Sequence, residues 1–148
     1  MPNWALNRLG VAGEPETIQE FLDASTVDGK FCFAGIVPEP QHENPNDWYD
    51  WRHDNWGTKW DIDGDITLVK ETIVSRVYTF NTAWAGPYEW LKRVAKKFPT
   101  LKFHMYSADP SMDWHTECMC RNGKLYMHRD TFESNAEYWE KHDAVFQF

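Results

Sequence analysis

The residues of this chain that are best suited to chemistry lie in one segment of eleven, Trp51-Arg52-His53-Asp54-Asn55-Trp56-Gly57-Thr58-Lys59-Trp60-Asp61. Indole rings offer flat faces on which an aromatic base can stack, with a gain of about 1–3 kcal/mol per stacked base. The cationic side chains beside them can hold phosphate oxygens. The segment, together with a later tryptophan, predicts a site for an anionic molecule that contains a base. The expected ligand-binding residues are Trp51, Arg52, His53, Trp56, Thr58, Lys59, Trp60 and Trp84.

A structural role for the same tryptophans is the alternative interpretation. The apolar residues of the segment follow neither a two-residue nor a 3.6-residue period, so the pattern favours neither a strand nor a surface helix. The rings could seal an open face of a sheet, with the aliphatic part of Lys59 along an indole. If the segment binds a ligand instead, Trp56→Ala or Lys59→Ala should abolish binding and leave the melting temperature within a few degrees.

The sequence identifies no catalytic group. It contains no nucleophile elbow, zinc-deaminase pattern, H-E-x-x-H helix or phosphate-binding glycine loop. Cys118 and Cys120 would lie on one side of a strand, and their C-x-C spacing is not that of a zinc knuckle, so we expect buried free thiols. We therefore expect a protein without enzymatic activity, metal ion or cofactor. A small hydrolase would have to draw on Ser107, Ser111, Cys118, Cys120, His104 and His115.

The net charge of −8 is unevenly distributed along the 148 residues. Residues 14–65 carry −10, whereas residues 66–104 carry +5. An acidic body with one basic zone makes double-stranded DNA an improbable partner, because no DNA-reading motif accompanies the basic stretch. The chain lacks both a charged leader and the ~20 consecutive apolar residues that span a bilayer. We expect a cytoplasmic protein that does not enter the membrane.

Hydrophobic periodicity and turn residues divide the chain into alternating strands and helices. The predicted elements are a strand at 7–13, a helix at 14–24, a strand at 31–37, an excursion at 38–64, strands at 66–69 and 73–82, a helix at 87–98, a strand at 101–106, a hairpin of 114–120 and 124–127, and a terminal helix at about 135–142. Residues 61–65 are predicted to form a polar turn that closes the excursion.

This order of elements predicts a single α+β domain over residues 1–148, a sandwich of the split βαβ type. Its sheet should be mainly antiparallel, with the helices on one face. The other face needs cover, which either the Trp-rich excursion or a second copy of the chain could provide. A homo-oligomer is therefore possible.

Several motifs occur in the order found in a known family. They are Asn7-x-Leu9-x-Val11-x-Gly13, Pro38-Glu39-Pro40, the Asn-Trp-Gly-Thr-Lys-Trp run at 55–60, Phe80-x-Thr82-Ala83-Trp84-x-x-Pro87, and Phe98-Pro99-x-Leu101. Over roughly residues 5–127 the chain resembles the YubB-like family of phage- and plasmid-borne proteins. The resemblance implies a ferredoxin-like domain and a mobile-element origin. It supplies no catalytic residues.

Three classes of function follow from these observations. The first is a counter-defence protein that sequesters a nucleotide-type immune signal without chemical change, by stacking and phosphate contacts in a concave site. The second is an acidic inhibitor that binds the basic surface of a host defence protein, such as a nuclease complex. The third is a small hydrolase that acts on nucleotides. The aromatic and cationic composition of residues 51–61 favours the first.

Overall fold

The fold is built on one six-stranded sheet that carries helices on one face. The structure is a computed structural model, and it describes residues 4–109 and 114–131. In chain order its elements are β1 (Trp4–Ala12), α1 (Pro15–Ala24), β2 (Thr26–Val27), β3 (Lys30–Phe31), α2 (Trp48–Asn55), β4 (Asp63–Thr72), β5 (Ser75–Ala83), α3 (Tyr88–Lys97), β6 (Lys102–Asp109), β7 (Trp114–Arg121) and β8 (Lys124–Thr131).

The strand order of the large sheet is β4-β5-β1-β6-β7-β8, and every neighbouring pair is antiparallel. β1 lies between β5 and β6, while α1 and α3 form the connections that cross the sheet. The elements β1, α1, β4, β5, α3 and β6 therefore reproduce the split βαβ arrangement of a ferredoxin-like sandwich. The predicted α+β class and its antiparallel sheet are confirmed.

The predicted hairpin of β7 and β8 extends the sheet at one edge. Its turn residues Asn122 and Gly123 have φ of 56° and 77°. Positive φ at both central residues defines a type I′ turn, whose twist matches that of the flanking strands. The terminal helix predicted at about 135–142 lies outside the described residues.

The main core lies between the helices and the sheet, around Phe21 of α1. The Phe21 ring meets Phe103 of β6 at 5.4 Å between centroids and Trp90 of α3 at 6.5 Å. Because Phe21 contacts both the other helix and the sheet, α1 and α3 lie on the same face. As predicted, α3 is amphipathic. Its buried residues are Trp90, Leu91, Val94 and Ala95.

The strand predicted at 31–37 is wrong beyond its first residue. β3 ends at Phe31, and a 3-10 helix follows at Phe33–Gly35. The Asp61 carboxylate accepts the backbone N–H groups of Phe33 and Ala34, at 2.7 and 3.2 Å. Phe31, Phe33 and Val37 are buried as predicted, whereas Ala34 and Ile36 are only partly buried. The N–H groups of Phe33 and Ala34 thus bond to a side chain from further along the chain and not to a neighbouring strand.

The Trp-rich segment also differs from the prediction, because much of it is helical. α2 has no fully buried residue, so no apolar stripe marks it in the sequence. Contacts between its own side chains and the rest of the excursion stabilise it instead. The Asn44 side chain supports the start of this region by accepting the N–H of Asn46.

The hairpin of β4 and β5 turns later than predicted. Ile73 and Val74 form its tip, and Ile73 is 81% exposed. β4 begins at Asp63, within the expected polar turn. Near the end of the excursion, the carboxylate of Asp61 accepts the backbone N–H of Phe33.

The sheet face opposite the helices has a buried part and an open part. The buried residues on the β6 and β7 part are His104, Tyr106, His115 and Glu117. On β1, by contrast, Leu6 is 42% exposed. Of the two covers considered for this face, the excursion does not lie over the open part. It packs on the helical side, where the backbone N–H of Trp90 donates to the carbonyl oxygen of Trp56 at 3.3 Å.

Candidate functional site

A groove of about 820 Å³ separates the excursion from α3. We call it the excursion–α3 groove. One wall is apolar and aromatic, and the other carries three cationic side chains. The described residues that line it are Ile36, Val37, Pro38, Pro40, Trp51, Asn55, Arg93, Lys96 and Lys97.

The cationic wall follows from the amphipathic pattern of α3. Burial of its apolar stripe places Arg93, Lys96 and Lys97 on the outer side of the helix, where all three are exposed. Arg93 is also fixed towards the excursion, because its guanidinium donates to the side-chain oxygen of Asn55. The three cationic residues thus border the groove from one helix.

The aromatic wall is the indole of Trp51, which is half-buried. Its ring meets the ring of Trp56 edge-on, with centroids 5.4 Å apart and planes at 81°. His42 packs against Trp51 at 6.1 Å between centroids. The Asn55 side chain donates to the carbonyl oxygen of Trp51 at 2.8 Å. The two ring contacts hold the indole where it lines the groove.

Trp56 has a structural role, contrary to the expectation that it contacts a ligand. It is 3% exposed, and its indole N–H donates to the carbonyl oxygen of Val37 at 2.9 Å. Its ring lies 6.0 Å from that of Phe33. Removing the ring would open a hole in the interior. The expected unchanged melting temperature of Trp56→Ala therefore conflicts with its burial.

Thr58 has a similar structural role. It is fully buried, and its hydroxyl donates to the carbonyl oxygen of Ala83 at 2.8 Å. This bond fastens the end of the Trp-rich segment to the end of β5. The preceding Gly57 has φ of 83°, and a Cβ there would lie 3.1 Å from the backbone nitrogen of Tyr88. Close approach of the segment to the start of α3 requires glycine at that position.

Arg52 lies among three indoles, away from the groove lining. Its guanidinium carbon lies 4.9 Å from the ring of Trp48 and 5.6 Å from those of Trp56 and Trp60. Trp48 and Trp60 stack at 5.4 Å with planes 14° apart. The protein's own cation therefore occupies the position that a ligand cation would take in an aromatic cage.

Glu39 neutralises this internal cation. Its carboxylate accepts the Nε–H of Arg52 at 2.8 Å, and its other oxygen lies 2.7 Å from His42 Nε2. Burial alone would raise the pKa of Glu39, but the hydrogen bonds from His42 and Arg52 outweigh burial and lower the pKa below its ordinary value. The carboxylate is charged at neutral pH.

The other predicted site residues lie outside the groove lining. His53 packs against Tyr49 at 4.5 Å between centroids. The ammonium group of Lys59 lies 5.0 Å from the centroid of the Trp60 ring. A lysine side chain along an indole is what the structural role of the tryptophans predicted. Trp84 is 56% exposed and has φ of 72°. The structure thus gathers Arg52, Trp56, Lys59 and Trp60 into one cluster, while Trp51 alone borders the groove.

The sequence interpretation missed most of the groove. Its cationic residues were assigned only to the helix predicted at 87–98, and its prolines only to a motif of the family resemblance. A sequence pattern could place Arg93 and Lys97 on one side of α3. It could not place that side opposite Trp51, which lies more than 40 residues earlier in the chain.

Three of the residues considered as nucleophiles, Ser107, Cys118 and Cys120, are buried. Burial raises the pKa of both Cys118 and Cys120, that of Cys120 to about 11, so both are neutral thiols at neutral pH. The buried Ser107 hydroxyl donates to the side-chain oxygen of Asn7 at 2.6 Å. Within residues 4–109 and 114–131, no three His, Cys, Asp or Glu side chains are grouped to hold a metal ion. Ser111 lies outside the described residues.

A protein of known structure has an architecture similar to that of this chain. The chain is similar to the crystal structure of a protein named api92 from Yersinia pseudotuberculosis, of family DUF1281, with a TM-score of 0.69. The match covers 88% of this chain and 98% of the other at 8% identity, so it shows a shared fold alone. Neither a protein-family model nor a curated protein matches the chain. The resemblance to the YubB-like family stays a prediction.

None of the helices in the described part of the chain is long and apolar enough to cross a bilayer.

Proposed function

We propose that this protein binds a small anionic molecule with an aromatic base, of the nucleotide type, in the excursion–α3 groove. The observation that carries the proposal is the position of Trp51 on the same groove as Arg93, Lys96 and Lys97. A base stacked on the indole would direct its phosphate groups across the groove towards α3. Stacking and charge-assisted hydrogen bonds would then act on the two ends of one ligand.

The dimensions and surface of the groove support this ligand class. Its volume of about 820 Å³ lies within the range of ligand pockets, about 300–1,000 Å³. Pro38 and Pro40 supply apolar surface to the same groove and carry no backbone N–H that would need a partner. The three cations can offset the repulsion that an anion meets from a protein of net charge −8.

The proposed action is sequestration without chemical change. Neutral thiols at Cys118 and Cys120 and an engaged hydroxyl at Ser107 offer no activated nucleophile, and none of these residues lines the groove. In a phage- or plasmid-borne protein, sequestration of a nucleotide immune signal would serve counter-defence. That role rests on the family resemblance, whereas the ligand class rests on the groove.

The test is a calorimetric titration of the full chain with a panel of nucleoside mono- and triphosphates and cyclic dinucleotides. Trp51→Ala should weaken binding by about 1–3 kcal/mol, or roughly 5- to 160-fold, through loss of the stacked base. Lys96→Gln with Lys97→Gln should also weaken it. Lys92→Gln is the matched control, because Lys92 lies on the same helix and pairs with Glu89 at 3.0 Å outside the groove lining.

Recovery of the ligand after the titration separates sequestration from hydrolysis. Unaltered nucleotide in the eluate supports the proposal, and a cleaved product supports the hydrolase. Saturable binding that neither Trp51→Ala nor the double lysine variant weakens would contradict the assignment to this groove. Absence of binding across the whole panel would contradict the ligand class.

The second candidate, an acidic inhibitor of a host protein, is supported by a different surface. On the outer side of α2, Tyr49 is 46% exposed and its neighbours Asp50 and Asp54 are exposed. Tyrosine is frequent at the energetic centres of interfaces, and carboxylates around it would suit a basic partner. Loss of a co-purifying host protein in Tyr49→Ala, with nucleotide binding unchanged, would support this function.

A further inference from the structure

The two walls of the excursion–α3 groove differ in the hydrogen-bonding groups that they offer to a ligand. On the apolar wall, the backbone N–H groups of Ile36 and Val37 both donate to the carbonyl oxygen of Phe33, at 3.3 and 2.9 Å. Pro38 and Pro40 also line this wall, and proline has no backbone N–H. These four lining residues therefore offer no backbone N–H to the edge of a base.

The side-chain amide of Asn55 is already bonded at both of its ends. Its nitrogen donates to the carbonyl oxygen of Trp51 at 2.8 Å, and its oxygen accepts from the guanidinium of Arg93. An asparagine amide reads the edge of a base only when its oxygen and nitrogen both turn towards that base. A base in the groove is therefore held by stacking on Trp51, and stacking tolerates every base because each has a π-face.

The wall formed by α3 offers charge that has no partner. In the part of the chain that the structure describes, the ammonium groups of Lys96 and Lys97 take part in no ion pair and no hydrogen bond. Arg93 donates to Asn55, but this partner is a neutral amide, so the positive charge of Arg93 is not offset. No carboxylate is found among the described lining residues. Three positive charges therefore face the groove without compensation from its lining.

The spacing of these cations suits a chain of phosphate groups. Lys96 and Lys97 follow Arg93 by three and four positions on α3, and such positions are neighbours on a helix surface, with about 5–6 Å between Cβ atoms. A terminal phosphate carries a charge of about −1.5 to −2 near pH 7, and each further phosphate in a linear chain adds negative charge beside it. In a cyclic dinucleotide, by contrast, each phosphodiester has a single charge and the ring holds the two apart.

We propose that the excursion–α3 groove selects nucleoside triphosphates, and that it recognises the length of the phosphate chain and not the identity of the base. The triphosphate lies along Arg93, Lys96 and Lys97, while a base of any kind stacks on Trp51. This selectivity rests on the proposed nucleotide binding and narrows it, because monophosphates and cyclic dinucleotides carry fewer charges or carry them further apart.

Calorimetric titration of the full chain, in buffer without divalent cations, measures the two parts of this selectivity. ATP, GTP, CTP and UTP should bind with affinities within about tenfold of one another, because stacking is their common base contact. ATP should bind at least about tenfold more tightly than AMP or cyclic di-AMP, because only the triphosphate reaches all three cations. Inorganic tripolyphosphate, which has no base, should bind Trp51→Ala as tightly as it binds the wild type.

Substitution of the two lysines separates recognition of phosphates from general damage to the groove. Lys96→Gln with Lys97→Gln should weaken binding of ATP more than binding of AMP, so the ratio of the two affinities should fall. Both lysines are exposed, so the double variant should fold normally. Lys92→Gln is the matched control, since Lys92 pairs with Glu89 outside the groove lining and its loss should leave the ratio unchanged.

The outcomes distinguish this selectivity from nucleotide binding as such. Equal affinities for ATP and AMP would overturn the selectivity and leave the proposed nucleotide binding in place. Tighter binding of cyclic di-AMP than of ATP would have the same meaning, as would a preference of more than about tenfold for one base. Failure of every nucleotide to bind, with or without binding of tripolyphosphate, would contradict the proposed function itself and the selectivity with it.

Discussion

At the scale of single residues, the four tryptophans between positions 48 and 60 divide among three roles. Trp56 is part of the interior, and its indole N–H has a backbone partner. Trp51 has an indole beside an open groove. Trp48 and Trp60 stack on each other and both contact Arg52. Residue type alone does not separate these roles, because the same ring either fills a core or faces a ligand depending on where the chain places it.

Trp56→Ala should lower the free energy of unfolding by about 3–5 kcal/mol, because the substitution removes a buried ring and leaves a cavity. Trp84→Ala is the matched control. That side chain is 56% exposed, so its loss should change stability by no more than about 0.5 kcal/mol. Urea denaturation followed by circular dichroism measures both. Equal stability of the two variants would show that Trp56 is not part of the core.

At the scale of elements, the excursion depends on a few long-range bonds. Thr58 ties it to β5, Asp61 ties it to the 3-10 helix, and Glu39 joins Arg52 of α2. A helix as short as α2, without a buried stripe, would not be stable in isolation. The conformation of α2 is therefore a consequence of these tertiary contacts. One of them, between Glu39 and Arg52, depends on an ionised carboxylate and is sensitive to acid.

The stability contribution of Glu39 should be lost in acid. Its pKa in the folded protein is lowered relative to an unfolded value of about 4.3, so the contribution is complete above that value and disappears as the pH falls through the folded pKa. Glu39→Gln should therefore flatten the decline in melting temperature between about pH 5 and pH 3. Wild-type and variant curves of identical slope would count against the ionised pair.

A buried polar network also fixes the turn from β5 into α3. The amide of Asn7 donates to the hydroxyl of Thr82 at 2.8 Å, and this hydroxyl donates to the carbonyl oxygen of Ala85 at 2.6 Å. Trp84 lies inside that turn with its positive φ. Asn7 and Thr82 belong to the motifs that carry the family resemblance. Their role here is to hold the backbone, which explains these motif residues without a ligand.

At the scale of the whole molecule, the sheet has a protected centre and two outer strands. β1 is paired on both sides over most of its length, whereas β4 and β8 are the first and last strands of the sheet. Register shifts interrupt β4, and such irregularities reduce unwanted pairing between edges. The stability of backbone hydrogen bonds should accordingly decrease from the middle of the sheet outwards.

Hydrogen–deuterium exchange read by mass spectrometry should report the slowest exchange in peptides from β1. Exchange should be fastest in β4 and β8, because edge strands open in smaller local fluctuations. If β4 is protected as strongly as β1, and this protection falls on dilution, the predicted homo-oligomer would form through that edge. Protection of β4 that does not depend on concentration would contradict the expected gradient.

The sequence by itself determined the elements whose signals are local. The period of the apolar residues predicted α3, and the Asn122-Gly123 turn predicted the hairpin. The order of these elements predicted the α+β class. Tertiary structure decided the excursion and the site. Whether a tryptophan is buried, stacked on Arg52 or open to a groove depends on contacts between residues far apart in sequence. Such contacts leave no period in the chain, because the energy that fixes them comes from packing and from hydrogen bonds that close only once the sheet has formed.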